Sequence, residues 1–437
     1  MDNIINIQIF REKILPKIKG KSLQKIESGT TYKGCSFYLE KGRYNIKNSV
    51  FDNCSFRSDV IFTDLEGCEF INCGFSGKLE LDLSKKKLVE IPSYVFQLKN
   101  LSTLNLSYNK ISELRPEFVQ LQNLSYLDLS YNQISGLPPE FAQLQNLSHL
   151  YLHSNQISEL PSKFTQLQNL SHLSLSYNQI SKLPPQFAQL QNLSYLDLSD
   201  NEITKLPPQF AQLQNLSHLN LSYNQISELP PKFAQLQNLS HLYLNNNQIS
   251  KLPPKLIPHN LSELYLNNNQ ISELPPEFTQ LQNLSYLDLS YNQISKLPSE
   301  LTQLQNLSTL NLHSNQISEF PPEFTQLQNL STLNLSYNQI SKLPPELEQL
   351  QNLSTLHLSD NQISELPSQL AQLQNLSYLN LSNNQINELP PEFAQLQNLS
   401  TLSLSDNQIG EKQQNLAKEW LPNCSFYFYN NSNTPIN

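Results

Sequence analysis

Charge is scarce in this chain. Only 15% of its 437 residues are Asp, Glu, Lys or Arg, against about 25% in an ordinary globular protein. What charge there is leans acidic: 28 Lys and Arg stand against 37 Asp and Glu, a formal net of -9. A nucleic-acid binder needs a basic face to neutralise phosphates, so that class is set aside. No apolar run approaches the ~18 residues of a membrane-spanning helix. The opening Met1-Asp2-Asn3-Ile4-Ile5 lacks the basic start and long apolar stretch of a secretion signal, and the expected compartment is the cytosol. Cysteine is limited to five residues, and an odd count in that compartment argues against a disulfide framework. Glycine numbers nine, and no Gly-rich phosphate loop occurs. G-x-S-x-G, H-E-x-x-H and the pairing of H-x-E with C-x-x-C are missing too. The chain is therefore read as a non-enzyme, with no catalytic residue, metal or cofactor assigned.

What fills the chain is repetition. From Leu101 it reads Leu-Ser-Thr-Leu-Asn-Leu-Ser-Tyr-Asn-Lys-Ile. The second Asn of that stretch, Asn109, recurs at Asn132, Asn155 and onward to Asn407, every 23 residues except for the 22 between Asn247 and Asn269. A degenerate first copy begins at Leu79, with Lys86 in the Asn column, giving about 15 rungs. Leu101, Leu104 and Leu106 alternate with polar residues, the period of a strand with one buried face. Asn109 ends the strand, where an amide side chain can satisfy turning backbone. Pro138-Pro139 and its equivalents stop strand pairing and open the return path. Phe141, Leu144 and Leu147, three residues apart, predict a short 3₁₀ or α turn. One rung cannot bury its own leucines, so neighbours must stack. The 22-residue unit carries an irregularity at residues 255–260. From residue 228 on, the residue before the Leu-Pro (once Phe-Pro) pair alternates in sign: Glu228, Lys251, Glu273, Lys296, Glu319, Lys342 and Glu365. Rungs about 4.8 Å apart would set these opposite charges face to face.

The ends differ from the middle. Residues 4–18 predict an amphipathic helix. All five cysteines occur as Cys-x-Phe, at Cys35, Cys54, Cys68, Cys73 and Cys424. In extended chain, residues i and i+2 share a face, so each Cys and Phe point inward together. Buried small apolar groups account for them better than zinc, whose sites prefer closely paired cysteines. Phe51, Phe56 and Ile61, then Leu65, Phe70 and Phe75, recur every five residues. That pattern resembles the pentapeptide-repeat family over about residues 31–77 and implies a short β-helical cap. At the other end, residues 411–421 predict a helix and residues 424–429 a final strand, before a polar tail.

The array itself fits L-x-x-L-x-L-x-x-N-x-L, the signature of leucine-rich repeats. Its unit Leu-Pro-Pro-Glu-Phe-x-Gln-Leu-x-Asn-Leu resembles the repeats of Ras-group scaffolds and bacterial Roc-type proteins. The resemblance implies an α/β solenoid: a curved horseshoe with a parallel concave sheet, short 3₁₀ or α convex segments and a small β-helical N-terminal cap. The expected division is a helical segment at 1–30, a pentapeptide-like cap at 31–77, the array at 78–410 and a C-terminal cap at 411–437. No GTPase domain or P-loop accompanies the array.

The implied function is a scaffold that binds another protein on its concave face, with a small GTPase as the partner the resemblance suggests. A secreted or host-delivered recognition protein is the alternative. Concave positions are the polar columns of the strands. They carry Tyr126, Tyr131, Tyr151, Tyr177, Tyr195, Tyr223, Tyr243, Tyr265, Tyr286 and Tyr291. Tyrosine gives large contact area at low entropy cost. Asp128, Asp197, Asp200 and Asp288 add negative charge, which suits a modestly basic partner. His149, His153, His172, His218 and His241 complete the candidate face. The alternative for these histidines is that they are ordinary solvated column residues, interchangeable with Thr and Tyr. Asn-Leu-Ser sequons, as at Asn123, Asn146 and Asn169, recur in the units and read as repeat consensus rather than glycan sites.

Overall fold

The computed structural model describes residues 15–252 and 259–429. Most of the helix expected over residues 4–18, the irregularity at 255–258 and the polar tail at 430–437 lie outside the described residues. The chain divides into two units, residues 1–202 and 203–437.

The first unit opens with a triangular coil. One ladder pairs Lys17–Lys19, Thr31–Lys33, Val50–Asp52 and Glu69–Ile71 in parallel. A second pairs Ser22–Leu23, Ser36–Phe37, Ser55–Phe56 and Gly74–Phe75. A third pairs Arg43–Asn45, Val60–Asp64 and Leu79–Asp82. From Thr31 to Val50 to Glu69 the coil repeats every 19 residues. Its core is aromatic: Phe37, Phe56 and Phe75 stack at 4.8 and 4.6 Å. Tyr32, Phe51 and Phe70 stack beside them at 5.2 and 4.8 Å. Cys35, Cys54 and Cys68 are buried and Cys73 half-buried, all as free thiols. Each thiol donates to a backbone carbonyl, as Cys54 does to Tyr32 and Cys73 to Phe51 at 3.5 and 3.2 Å.

Two expectations need correction here. Residues 15–30 are not helical, because strands already form at Lys17–Lys19 and Ser22–Leu23. Lys17-Ile18-Lys19 alternates with period two, and Gly20 turns the chain at φ +60°, a conformation that ends a helix. The coil consequently starts at Lys17 rather than near residue 31.

The third ladder passes straight into the array. Leu79–Asp82 pairs with Leu101–Asn105, through a register shift between Leu79 and Glu80. Parallel strands follow at Tyr126–Asp128, His149–Tyr151, His172–Ser174 and Tyr195–Asp197. The second unit repeats the arrangement from His218–Asn220 to Thr401–Ser403. It ends with a helix, Glu411–Trp420, and the strand Ser425–Tyr427, which pairs with Thr401–Ser403. Among the described residues, return paths carry short 3₁₀ turns, such as Pro139–Gln143, which has proline at its first position and Phe141 buried.

Three hydrogen-bond ladders bind the rungs. The first is buried: Asn132 Nδ2 donates to the carbonyls of Leu106 and Leu129 at 3.0 and 3.1 Å, while its Oδ1 accepts the Ile111 N–H at 2.9 Å. Asn155 and Asn178 repeat the pattern. The second runs through serine: Ser125 Oγ donates to the Ser102 carbonyl and Ser148 Oγ to that of Ser125. The third uses the sequon asparagines, with Asn146 Nδ2 donating to Gln122 O and Asn169 Nδ2 to Gln145 O at 2.9 and 2.8 Å. The Nδ2 that a glycan would modify is thereby a tie between rungs. The alternating charges form a weaker feature. Among the described residues that column closes into one ion pair, Lys205–Glu228, 3.0 Å apart, while Glu90 reaches Arg115, two places beyond the column. Exposed pairs gain little and pay rotamer entropy, so most rungs leave these side chains in water.

Candidate binding face

The open face of the sheet is built from four polar columns. In the first unit, one column reads Thr103, Tyr126, His149, His172 and Tyr195, in register from strand to strand. Its rings form a continuous stack. Tyr126 and His149 lie 6.0 Å apart, His149 and His172 4.3 Å, His172 and Tyr195 6.0 Å. Ser148 and Ser171 fix the imidazoles through Nδ1 at 2.9 Å each. The adjacent column reads Asn105, Asp128, Tyr151, Ser174 and Asp197. Burial and the Asp128 charge push the Tyr126 phenol up to about 12. Burial lowers the affinity of His153 for a proton, although Asp128 and Asp197 pull the other way. That ring is therefore neutral at pH 7.

Where small Ser174 falls between Tyr151 and Asp197, the surface dips. The recess holds about 380 Å³ and is lined by Tyr151, His153, His172, Ser174, Ser176, Tyr195 and Asp197. Five of those seven residues lie on strands that the repeat pattern aligns, and His153 and Ser176 share the column that follows. Asp197 Oδ1 accepts the N–H and hydroxyl of Ser199 at 3.0 and 2.8 Å. Asp128 holds Ser130 in the same way. These aspartates thus shape the strand end as well as charging the face, a role the Asp-x-Ser spacing carries in the sequence.

The last column, just before each ladder asparagine, has an unexpected backbone. Tyr108, Tyr131, Ser154, Tyr177 and Asp200 all have φ between 51° and 56°. The second unit places Tyr223, Asn246, Asn268, Tyr291, Ser314, Tyr337, Asp360, Asn383 and Asp406 in the same region. Asn and Asp tolerate that left-handed conformation; tyrosine is not a residue the backbone asks for there. Yet six tyrosines hold it, and all are exposed, Tyr177 by 61% and Tyr131 by 42%. Tyr108 and Tyr131 stack at 4.1 Å, and Lys85 lies over the Tyr108 ring at 5.3 Å.

In the second unit, His218 and His241 stack at 4.2 Å, and His241 Nε2 lies 3.7 Å from Glu263. Tyr243 stacks on Tyr265 at 4.7 Å, and Tyr286 lies 4.7 Å further on, tilted. Asp288 departs from its expected role: it is only 8% exposed and accepts from Ser290, so it offers a partner little. Glu263 is the acid the sequence reading passed over. It stands in the His241–Tyr286 column, and aligning the columns would have found it. Among the described residues no group of three His, Cys, Asp or Glu is placed to hold a metal ion, and no helix is long and apolar enough to cross a membrane.

The family model described as leucine rich repeat matches residues 80–134, 145–203, 191–249, 259–317, 305–363 and 351–409. The chain belongs to the leucine-rich repeat family. A two-copy model of such repeats also matches residues 122–164. Among solved structures, this leucine-rich repeat protein is similar to one from Leptospira interrogans. The two are 39% identical with a TM-score of 0.76, over 80% of this chain and 95% of that one. A TDR receptor is 30% identical with a TM-score of 0.67, over 80% of this chain and 64% of its own. InlJ of Listeria monocytogenes, whose functional domain includes a cysteine ladder, is 25% identical with a TM-score of 0.65, over 79% and 70%. A comparison with curated protein sequences finds no match. Leucine-rich repeat proteins act as binding scaffolds or receptors for other proteins, and no catalytic family is indicated.

Proposed function

We propose that this leucine-rich repeat protein is a non-catalytic scaffold that captures a partner protein on the aromatic face of its first unit. One observation carries the reading. Tyrosine stands exposed at left-handed positions where Asn or Asp would sit with less strain, and the same column uses those residues at other rungs. Ring stacking, as between Tyr108 and Tyr131, roughly offsets the strain of that choice for folding, whereas a partner gains a row of broad, rigid rings. The acid of Asp128 and Asp197 suits a partner with basic side chains. A reducing, cytosolic setting fits the cap, because its thiols donate hydrogen bonds that a disulfide would forfeit. Affinity capture from native lysate tests the reading. The intact chain is compared with a variant carrying Tyr131→Ala, Tyr151→Ala and Tyr177→Ala. A protein held by the first and lost by the second, at unchanged circular dichroism, supports the assignment. Identical captures would remove this face from consideration.

A further inference from the structure

The recess at Ser174 is more selective than a general protein-binding face. We propose that it receives the guanidinium group of an arginine side chain on the partner, stacked against tyrosine and paired with Asp197. This rests on the scaffold reading above and names the chemistry of its contact.

The geometry supplies each element that a guanidinium needs. Tyr151 and Asp197 stand on either side of Ser174 in one column. They are two strand spacings apart, about 9.6 Å at the backbone. A planar cation entering that gap meets ring on one flank and carboxylate on the other. His172 and Tyr195 extend the aromatic wall alongside. Asp197 commits Oδ1 to Ser199, which fixes the carboxylate and leaves Oδ2 for an incoming donor. Arginine matches this better than lysine, since its plane stacks on a ring while its edge hydrogen-bonds.

Charge argues for a cation as well. The two central columns of the first unit, from Thr103 to Asp197, contain two aspartates and no Lys or Arg. His153, beside the recess, is neutral at pH 7 and adds no opposing charge. The same face already accepts one cation from its own chain, where Lys85 covers the Tyr108 ring at the end of the tyrosine stack. An acidic or apolar partner side chain would meet the Asp197 carboxylate uncompensated, which is costly in a partly desolvated site.

The test uses the full chain and four capped pentapeptides, Gly-Gly-X-Gly-Gly, with X as arginine, citrulline, lysine or glutamate. Citrulline keeps the shape of arginine and removes its charge. Binding is read from the ring-proton resonances of His153 and His172, assigned by His→Asn variants. The arginine peptide should shift both saturably, with a Kd on the order of 1 mM for so small a ligand. Citrulline and glutamate should bind at least about tenfold more weakly, and lysine in between. Asp197→Asn, whose amide oxygen can still accept from Ser199, should lose about fivefold, the upper end for one exposed charge pair. Ser174→Leu, which fills the recess, should abolish the shifts. Equal binding of citrulline and arginine, indifference to Asp197→Asn, or no shift at saturating peptide would each overturn the assignment. The scaffold reading fails separately. If the triple tyrosine variant loses its partner while the arginine peptide never binds, the face stands and the guanidinium assignment falls.

Discussion

Each ladder asparagine serves two rungs at once. Asn132 completes the carbonyls of Leu106 and Leu129 and the N–H of Ile111, all away from water. Asn132→Ala strands those groups, and an unsatisfied buried polar group costs about 1–3 kcal/mol. A loss of roughly 3 kcal/mol in urea unfolding is expected for that variant. Tyr131 gives the opposite kind of prediction. Tyr131→Asn relieves about 1 kcal/mol of left-handed strain and forfeits a similar amount of ring stacking on Tyr108. Stability should hold within about 1 kcal/mol while partner capture weakens. The histidines set a pH dependence. Burial lowers the pKa of His153, His218, His313 and His357 in the folded chain. Their unfolded value is about 6.5, so below it the unfolded chain binds more protons. Stability is therefore full above pH 6.5 and declines as pH falls through it toward the folded values. Calorimetric midpoints from pH 7.5 to 5.0 should fall, and a His153→Asn, His357→Asn double variant should flatten that slope.

At the scale of elements, the sequence was legible wherever one period governed several columns together. The strands, the 3₁₀ turns after Pro138-Pro139 and the terminal helix at Glu411–Trp420 all follow from alternation, proline and three-residue spacing. The face residues were legible as columns, which is why Tyr126, His149, His172 and Tyr195 do align. The recess was not, because it depends on the smallness of Ser174 between two larger neighbours. Nor was the left-handed column, since tyrosine there contradicts its own propensity. The coil before the array was half visible. Cys-x-Phe pointed to inward pairs, but its 19-residue return was hidden under a five-residue rhythm, and its first turn, from Lys17, has no Cys-x-Phe motif. Gly77 closes that coil. A Cβ there would lie 2.5 Å from the Ser58 carbonyl carbon and oxygen and 2.6 Å from the Asp59 nitrogen. Backbone cannot step aside as a flexible side chain can. Gly77→Ala should destabilise the cap by about 1–3 kcal/mol, seen as faster amide exchange in residues 50–82 before any change in the second unit.

For the molecule as a whole, repetition predicts how it comes apart. Stability in a repeat array is close to a sum of rung and interface terms, and long arrays lose all-or-none cooperativity. The single tryptophan, Trp420, lies in the terminal helix. Its fluorescence should therefore report fraying of that end at lower urea than far-ultraviolet circular dichroism, which averages all rungs. Coincident curves would mean a tighter coupling than nearest neighbours provide.

The asparagine ladder has a direction. Each rung supplies amide groups to the rung before it, and receives the same from the rung after. A whole unit inserted or deleted within the array leaves every donor and acceptor matched, because the new junction is chemically the same as the old. In the coding sequence, such a unit is an in-frame block flanked by near-copies of itself, the arrangement in which misaligned recombination adds or drops repeats. Backbone chemistry thus makes length a freely heritable variable. Fold would resist point changes at Asn132 far more strongly than it would resist gain of a complete rung, and related genes should differ more readily in copy number than in the ladder.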